Sequence, residues 1–260
     1  MLIDVLIAFG ISLVAGLIGS MVGIGGGIIN APYLSYLNYI PSQISSTSLI
    51  AVFFTSISSS FQYIRKGLTD KKIAVILAFS SIPGTFIGVY NSNYFTLSEF
   101  RFYFALILIA TSLYLVFRSK ILGQEKRIPY LSDKHQYLEP RRLSILIIFS
   151  LLAGTLSSSF GIGGGIIFVP CLIIILGLNM KTASATSQFA LMFTSLAGLT
   201  LFVIEGKPDY FMGFILSVGS IIGGTIGSML TGRMKSTMLL KIFSILLLVV
   251  SLKLIYDGLS

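Results

Sequence analysis

The sequence predicts an all-α polytopic membrane protein built from two inverted repeats of about five hydrophobic segments each. Three observations predict this class. Of the 260 residues, 55% are hydrophobic and only 10% are charged, against roughly 25% charged residues in a typical soluble domain. Apolar windows of about 20 residues, the length that crosses a bilayer, recur along the chain. The pattern Gly-Ile-Gly-Gly-Gly occurs twice among them, at residues 23–27 and 161–165.

The order of the apolar runs predicts the two repeats. Runs at about 2–22, 27–40, 44–64, 73–91 and 97–117 are followed by a basic stretch, and matching runs then lie at about 143–160, 164–178, 182–204, 210–231 and 236–256. A pattern that restarts in this way indicates internal duplication. We therefore divide the chain into a first transmembrane repeat (1–118), a basic cytoplasmic linker that holds the sole histidine, His135 (119–142), and a second transmembrane repeat (143–260).

We call residues 23–27 and 161–165 the first and second glycine segments. Each glycine disfavours a helix interior by about 1 kcal/mol relative to alanine, so a helix is predicted to break at each segment. Inside a membrane a break is tolerated only where it is buried in protein or lines a wet cavity. The alternative is that small residues let helices pack closely. We prefer this alternative for two other sets of glycines, spaced four residues apart: Gly84 and Gly88, and Gly219, Gly223 and Gly227.

Loop charge predicts how the repeats are oriented. The loop at 65–72 has four basic residues against one acid, whereas its counterpart at 205–209 has one base against two acids. Because basic loops stay in the cytoplasm, the two loops are expected on opposite sides, as in an inverted repeat. Inversion requires an odd number of crossings per repeat: either all five runs cross, or the first two form a re-entrant hairpin with the glycines at its tip. A parallel arrangement, with the first two runs fused into one broken helix, fits the charges less well.

Polar residues follow both glycine segments inside otherwise apolar runs. Helix N-termini carry partial positive charge and free N–H groups, and with nearby hydroxyls and amides they can bind an oxyanion. The alternative for the hydroxyls is a bond to a carbonyl of their own helix or to a neighbouring helix. Thr55-Ser56 in the first half also recurs as Thr194-Ser195 in the second. The predicted substrate-binding residues are Gly23, Gly25, Gly26, Gly27, Asn30, Thr47, Ser48, Gly161, Gly163, Gly164, Gly165, Thr186, Ser187 and Gln188.

Composition argues against several other functions. The net charge of +9 could indicate nucleic-acid binding, but the basic residues lie in short loops beside apolar spans, where they orient a membrane protein. One histidine, one cysteine and no carboxylate pair inside an apolar run argue against an enzyme, so we expect no catalytic residue, metal or cofactor. A dinucleotide site would need glycine where Ile28 and Ile166 stand. A proton-coupling carboxylate near a midplane is also not expected.

The paired glycine segments, each followed by a proline and a Ser/Thr-rich helix start, resemble the TauE/SafE-type sulfite exporter and sulfonate permease family along the whole chain. The resemblance implies secondary transport of a small sulfur-containing or organic anion, such as sulfite or a sulfonate, across the cell (cytoplasmic) membrane. The implied partners are this anion and the lipid bilayer. The alternatives are an anion channel or a non-transporting membrane scaffold.

Overall fold

The computed structural model describes residues 2–121 and 139–259, which form ten α-helices and no β-strand. Within this part of the chain the predicted all-α class is confirmed. Most of the predicted linker, including His135, lies outside the described residues. The helices are α1 (Leu2–Val22), α2 (Gly27–Tyr36), α3 (Pro41–Arg65), α4 (Lys71–Ser92), α5 (Leu97–Ile121), α6 (Pro140–Phe160), α7 (Gly165–Ile175), α8 (Met180–Ile204), α9 (Tyr210–Thr231) and α10 (Ser236–Leu259).

Six of these helices, α1, α3, α4, α6, α8 and α9, are long and apolar enough to cross a membrane. Helices α2 and α7 are different, because they have only 10 and 11 residues. At about 1.5 Å per residue such helices are roughly 15 Å long, about half of the hydrocarbon core. Each short helix therefore covers only part of the membrane depth.

Local sequence signals set several helix starts. Helix α3 begins with Pro41, whose missing N–H is no loss in the first turn. Helices α4 and α9 begin after Asp70 and Asp209, whose carboxylates accept the backbone N–H groups of Ile73 at 3.2 Å and Met212 at 3.0 Å. Such caps satisfy donors that a helix leaves free at its N-terminus.

Glycines let helices of the two halves pack with their backbones in contact. A Cβ added at Gly219 would lie 2.6 Å from the carbonyl oxygen of Phe9, and Gly223 and Gly227 face the next two turns of α1 in the same way. Contact residues advance together along both helices, so α1 and α9 run in the same direction. Gly84 and Gly88 of α4 face carbonyl oxygens of α6 alike. The predicted packing role of these glycines is confirmed.

Helices α3 and α8 cross in opposite directions at the centre of the molecule. Leu49, early in α3, lies against Gly198, late in α8. Ser59, later in α3, donates a hydrogen bond to Gln188, early in α8, at 3.1 Å. Because α3 also packs on α9 and α8 on α4, the hydrophobic core contains residues of both halves. The two halves thus share one core.

We predict that Gly223→Ala destabilises the protein by about 1–3 kcal/mol, because its methyl group would overlap the backbone of Leu13 and push α1 from α9. Gly10→Ala is the control: nothing lies near its added Cβ, so improved helix propensity should stabilise the protein by about 0.5–1 kcal/mol. Thermal unfolding of both variants in one detergent checks this. Equal shifts would contradict close α1–α9 packing.

Candidate functional site

The chain leaves helical geometry at both glycine segments. Helix α1 ends at Val22 and α2 begins at Gly27, while α6 ends at Phe160 and α7 begins at Gly165. Between these ends the glycines have positive φ angles that side chains rarely adopt: Gly23 90°, Gly25 80°, Gly26 84°, Gly161 69°, Gly163 92° and Gly164 71°. Glycine is the residue that adopts this conformation without steric cost.

At each segment the chain also folds back on the helix it has just left. A Cβ added at Gly26 would lie 2.8 Å from the carbonyl oxygen of Ala15 in α1. In the second half the corresponding distance, from Gly164 to the carbonyl oxygen of Ala153 in α6, is 3.0 Å. Each long helix and the short helix after it therefore form a hairpin with glycines at the turn.

The two glycine segments are in direct contact, and the contact is reciprocal. Gly27, the first residue of α2, lies against the carbonyl oxygen of Gly161 in the second segment. Gly165, the first residue of α7, lies against the carbonyl oxygen of Gly23 in the first segment. A methyl group at either helix start would overlap the other segment, so the two helix N-termini meet only because both residues are glycine.

This meeting point lies halfway along the central pair of helices. A Cβ added at Gly25 would lie 2.9 Å from Val52 Cγ1, and Gly163 also packs on Val52. Leu191 also lies near both glycines, 3.4 Å from a Cβ added at Gly25 and 3.3 Å from one added at Gly163. Val52 and Leu191 lie near the middle of α3 and α8, whose 25 residues each are long enough to cross a membrane. The two glycine segments therefore lie beside the middle of α3 and α8.

Ser48, Ser187 and Gln188 stabilise the non-helical backbone. The Ser48 hydroxyl donates to the carbonyl oxygen of Gly161 at 2.7 Å, and the Ser187 hydroxyl donates to that of Gly23 at 2.7 Å. The Gln188 amide donates to the carbonyl oxygen of Gly19 at 3.0 Å. Ser48 and Ser187 thus satisfy carbonyl groups of the glycine segments, while Gln188 adds a donor to a carbonyl that also accepts the N–H of Gly23 at 2.9 Å.

Thr47 and Thr186 are directed towards loops. The Thr47 hydroxyl oxygen accepts the backbone N–H of Asp209 at 3.0 Å, and the Thr186 hydroxyl oxygen accepts that of Asp70 at 3.1 Å. Asp70 and Asp209 precede α4 and α9. The two threonines therefore connect each central helix to a loop of the other half, and their substrate-binding role stays a prediction.

Several fully buried polar side chains near the glycine segments have no hydrogen-bond partner. Both amide atoms of Asn30, one turn into α2, are unpaired, and so are the hydroxyls of Ser56 and Ser184. The Ser56 hydroxyl lies 3.4 Å from a Cβ built at Gly25, and Ser184 packs on Gly23. Leaving a buried polar group unpaired costs about 1–3 kcal/mol, so each such group calls for an explanation.

Among the described residues, no charged side chain is buried at the site. Every buried polar residue in this part of the chain is a serine, threonine, asparagine or glutamine. The same residues contain no group of three histidine, cysteine, aspartate or glutamate side chains that could hold a metal ion. Positive potential at the meeting point comes therefore from the helix N-termini, each equivalent to roughly half a unit charge.

Comparison with known proteins shows the family to which the chain belongs. The family model described as "Sulfite exporter TauE/SafE" matches residues 8–254, nearly the whole chain. The chain belongs to the TauE/SafE family. It is thus a membrane transporter and a multi-pass protein of the cell membrane, as the resemblance implied. No solved structure matches the chain significantly.

Curated relatives of this TauE/SafE protein have similar lengths. The probable membrane transporter protein YunE of Bacillus subtilis is 30% identical over 262 residues, covering 95% of this chain and 96% of the relative. The probable membrane transporter protein YfcA of Escherichia coli K12 is 26% identical over 255 residues, covering 97% and 90%. A probable membrane transporter protein of Methanocaldococcus jannaschii is 30% identical over 218 residues, covering 81% and 75%.

Some residues of the TauE/SafE site were missed by sequence reasoning. Ser45 donates a hydrogen bond to the carbonyl oxygen of Ser159 at 2.7 Å, beside the second glycine segment. Ser56 has an unpaired hydroxyl next to the first. The recurrence of Thr-Ser at 55–56 and 194–195 was a visible signal for Ser56. Nothing in the sequence separates Ser45 from its neighbouring serines, because only packing decides which hydroxyl faces the break.

We predict that Ser48→Ala and Ser187→Ala each destabilise the protein by about 1–3 kcal/mol, because each leaves a buried glycine carbonyl without its donor. The measurement is thermal or denaturant unfolding. Ser144→Ala is the control, since Ser144 is exposed and bonds only within its own helix; its change should be under about 0.5 kcal/mol. A loss of stability in Ser144→Ala as large as in Ser48→Ala and Ser187→Ala would refute the role of these two serines in stabilising the glycine segments.

Proposed function

We propose that this TauE/SafE protein is a secondary transporter that binds a small anion where α2 and α7 begin. One observation carries the proposal: two helix N-termini meet beside the middle of α3 and α8, next to buried polar groups that lack partners. The first N–H groups of a helix have no acceptor within it. Inside a protein they interact more strongly with an anion than they would in water.

The chemistry of the site fits sulfite or a sulfonate. Such anions present several acceptor oxygens, and the site offers matching donors: backbone N–H groups, the Asn30 amide and the hydroxyls of Ser56 and Ser184. The absence of a buried arginine or lysine among the described residues also fits transport. Neutral donors bind an anion without an ion pair, and a carrier must release what it binds.

We also propose that the two halves are inverted repeats. The evidence is a set of reciprocal contacts: Ser48 with Gly161 corresponds to Ser187 with Gly23. The matching helices α3 and α8 cross in opposite directions and both have the length of a membrane span. A two-fold axis along the membrane normal would make them run in the same direction, so their opposition supports an axis in the membrane plane.

A non-transporting scaffold is the second candidate. It is favoured by the tight packing of the segments, since a Cβ at Gly23 would lie 2.7 Å from the Ser184 Cα. A scaffold, however, gains nothing from unpaired buried polar groups, whereas an anion site needs them before its ligand arrives. We therefore prefer the transporter.

The test combines uptake and stability. Asn30→Leu should abolish uptake of sulfite and of a small sulfonate into proteoliposomes. It should also raise stability in anion-free buffer by about 1 kcal/mol, because an unpaired buried amide is removed. In the unaltered protein, anion at about 100 times its dissociation constant should stabilise by about 2.7 kcal/mol relative to chloride, and Asn30→Leu should lose this shift.

Asn179→Leu is the control for this test. Its side chain caps α8 by accepting the N–H of Thr182 at 3.0 Å, so its loss should lower stability by about 1 kcal/mol and leave the anion-dependent shift intact. Uptake by Asn30→Leu at the unaltered rate would refute anion binding at the N-termini. If sulfite and the sulfonate neither bind nor cross in the unaltered protein, this substrate assignment is wrong.

The orientation is tested with matched loop positions. Gly67 and Gly206 have φ angles of 65° and 67°, and nothing lies within 4 Å of a Cβ added at either. In a Cys171→Ala background, which removes the one native cysteine, Gly67→Cys and Gly206→Cys should react with a membrane-impermeant maleimide from opposite faces. In whole cells only Gly206→Cys should be labelled. Labelling of both from one face would contradict inversion.

A further inference from the structure

A pocket of about 300 Å³ lies between α4, α5 and α6. It is found towards the end of α4 opposite to the basic loop at 65–72, since Asn91 in the last turn of α4 contributes to its lining. Its other lining residues include Phe95, Tyr103, Thr155, Ser159 and Phe160. The pocket therefore combines aromatic walls with hydroxyl and amide groups.

The inner wall of the pocket adjoins the second glycine segment. Ser159 and Phe160 are the last residues of α6, directly before Gly161. The carbonyl oxygen of Gly161 in turn lies against Gly27, where α2 begins. Only the end of α6 thus separates the pocket from the meeting point of the two helix N-termini.

Phe160 lines the pocket next to the second glycine segment. Its ring is 2% exposed, and its centroid lies 5.3 Å from that of Phe100, 5.5 Å from that of Phe104 and 5.7 Å from that of Phe95. Each ring contact of this kind stabilises the protein by about 0.5–1.5 kcal/mol in addition to the effect of burying apolar surface. These contacts do not depend on hydrogen bonds. Phe160 is thus the pocket-lining residue that directly precedes Gly161.

The matching place in the first half is apolar. Counting back from the first glycine of each segment, Val22 matches Phe160, Met21 matches Ser159 and Leu17 matches Thr155. Val22 is 0% and Met21 4% exposed, and both belong to the hydrophobic core. Hydroxyl side chains therefore line only one of two otherwise matching positions, and they donate to the carbonyl oxygens of Leu151 and Gly88.

We infer that this pocket is a water-filled vestibule through which the transported anion reaches the glycine segments, and that Phe160 is the ring that gates it. The inference rests on the proposed function. The vestibule lies on the membrane face opposite to the basic loop at 65–72. Phe160 acts on passage and not on binding, because its ring contacts other aromatic side chains while the anion is bound by the helix N-termini beyond it.

Thiol labelling tests the vestibule with a matched pair. In the Cys171→Ala background, Thr155→Cys should react with a membrane-impermeant maleimide, and the modified protein, after removal of the reagent, should take up the anion at least fivefold more slowly. Leu17→Cys, at the matching apolar position, should stay unmodified. Asn91→Cys is a second reporter, should Thr155→Cys fail to fold.

Two outcomes would overturn the vestibule. Absence of labelling at both Thr155→Cys and Asn91→Cys would mean that lipid and not water fills the pocket, because maleimides react with thiols in water. Full labelling with unchanged uptake would mean that the anion takes another route. Uptake and anion-dependent stabilisation of the Cys171→Ala protein and of the unaltered protein test the proposed function separately. If both proteins lack uptake and anion-dependent stabilisation, the transporter proposal fails, whatever the labelling shows.

Phe160→Ala tests the gate. It should speed uptake at least threefold and leave the anion-dependent shift in melting temperature unchanged, since the binding groups are intact. Val22→Ala at the matching position is the control and should leave the uptake rate within twofold of the starting protein. Slower uptake with a reduced anion-dependent shift in Phe160→Ala would assign Phe160 to binding and refute its role as a gate.

Discussion

The need to satisfy backbone groups inside a membrane governs this structure. Where a helix stops in hydrocarbon, every freed N–H and carbonyl group requires a partner within the protein. The carbonyl oxygen of Gly19 shows one solution, since it accepts the N–H groups of Gly23, Ile24 and Gly25 as well as the Gln188 amide. The carbonyls of the glycine segments are satisfied by serine hydroxyls from α3 and α8. The Gly23 and Gly161 carbonyls thus have donors, while the first N–H groups of α2 and α7 have no preceding turn to bond.

This asymmetry between carbonyls and N–H groups connects the fold to transport. Serine and glutamine side chains donate hydrogen bonds to carbonyl oxygens at the breaks. The partial charge that remains at the centre is the positive charge at the N-termini of α2 and α7. Because each helix start lies against a carbonyl of the other segment, neither hairpin is complete alone. The site therefore belongs to the contact between the halves. In the proposed mechanism, movement of one half against the other would change the shape of the site without changing which groups form it.

The differences between the halves matter as much as their likeness. Asn30 follows the first glycine segment, while Phe168 occupies the matching position after the second. Phe160 beside the polar pocket matches Val22 in a packed region. The two halves thus have similar backbone arrangements but different side chains at these matching positions. Such differences let a site between two similar halves distinguish the two ends of a substrate.

The sequence by itself determined the all-α membrane class, the positions of the apolar runs and the packing role of Gly84, Gly88 and the glycines of α9. These follow from local composition, since hydropathy and glycine spacing act on one segment at a time. It also pointed to residues around the glycine segments, with Asn30 among them.

The sequence did not distinguish Ser48 and Ser187, whose hydroxyls bind the glycine segments, from Thr47 and Thr186, which bind loop backbone. Neighbouring residues on a helix face different partners, and only packing decides which. Only the tertiary structure decided that the two glycine segments touch and that Ser56 and Ser184 are left unpaired, since both facts depend on contacts between residues far apart in the chain.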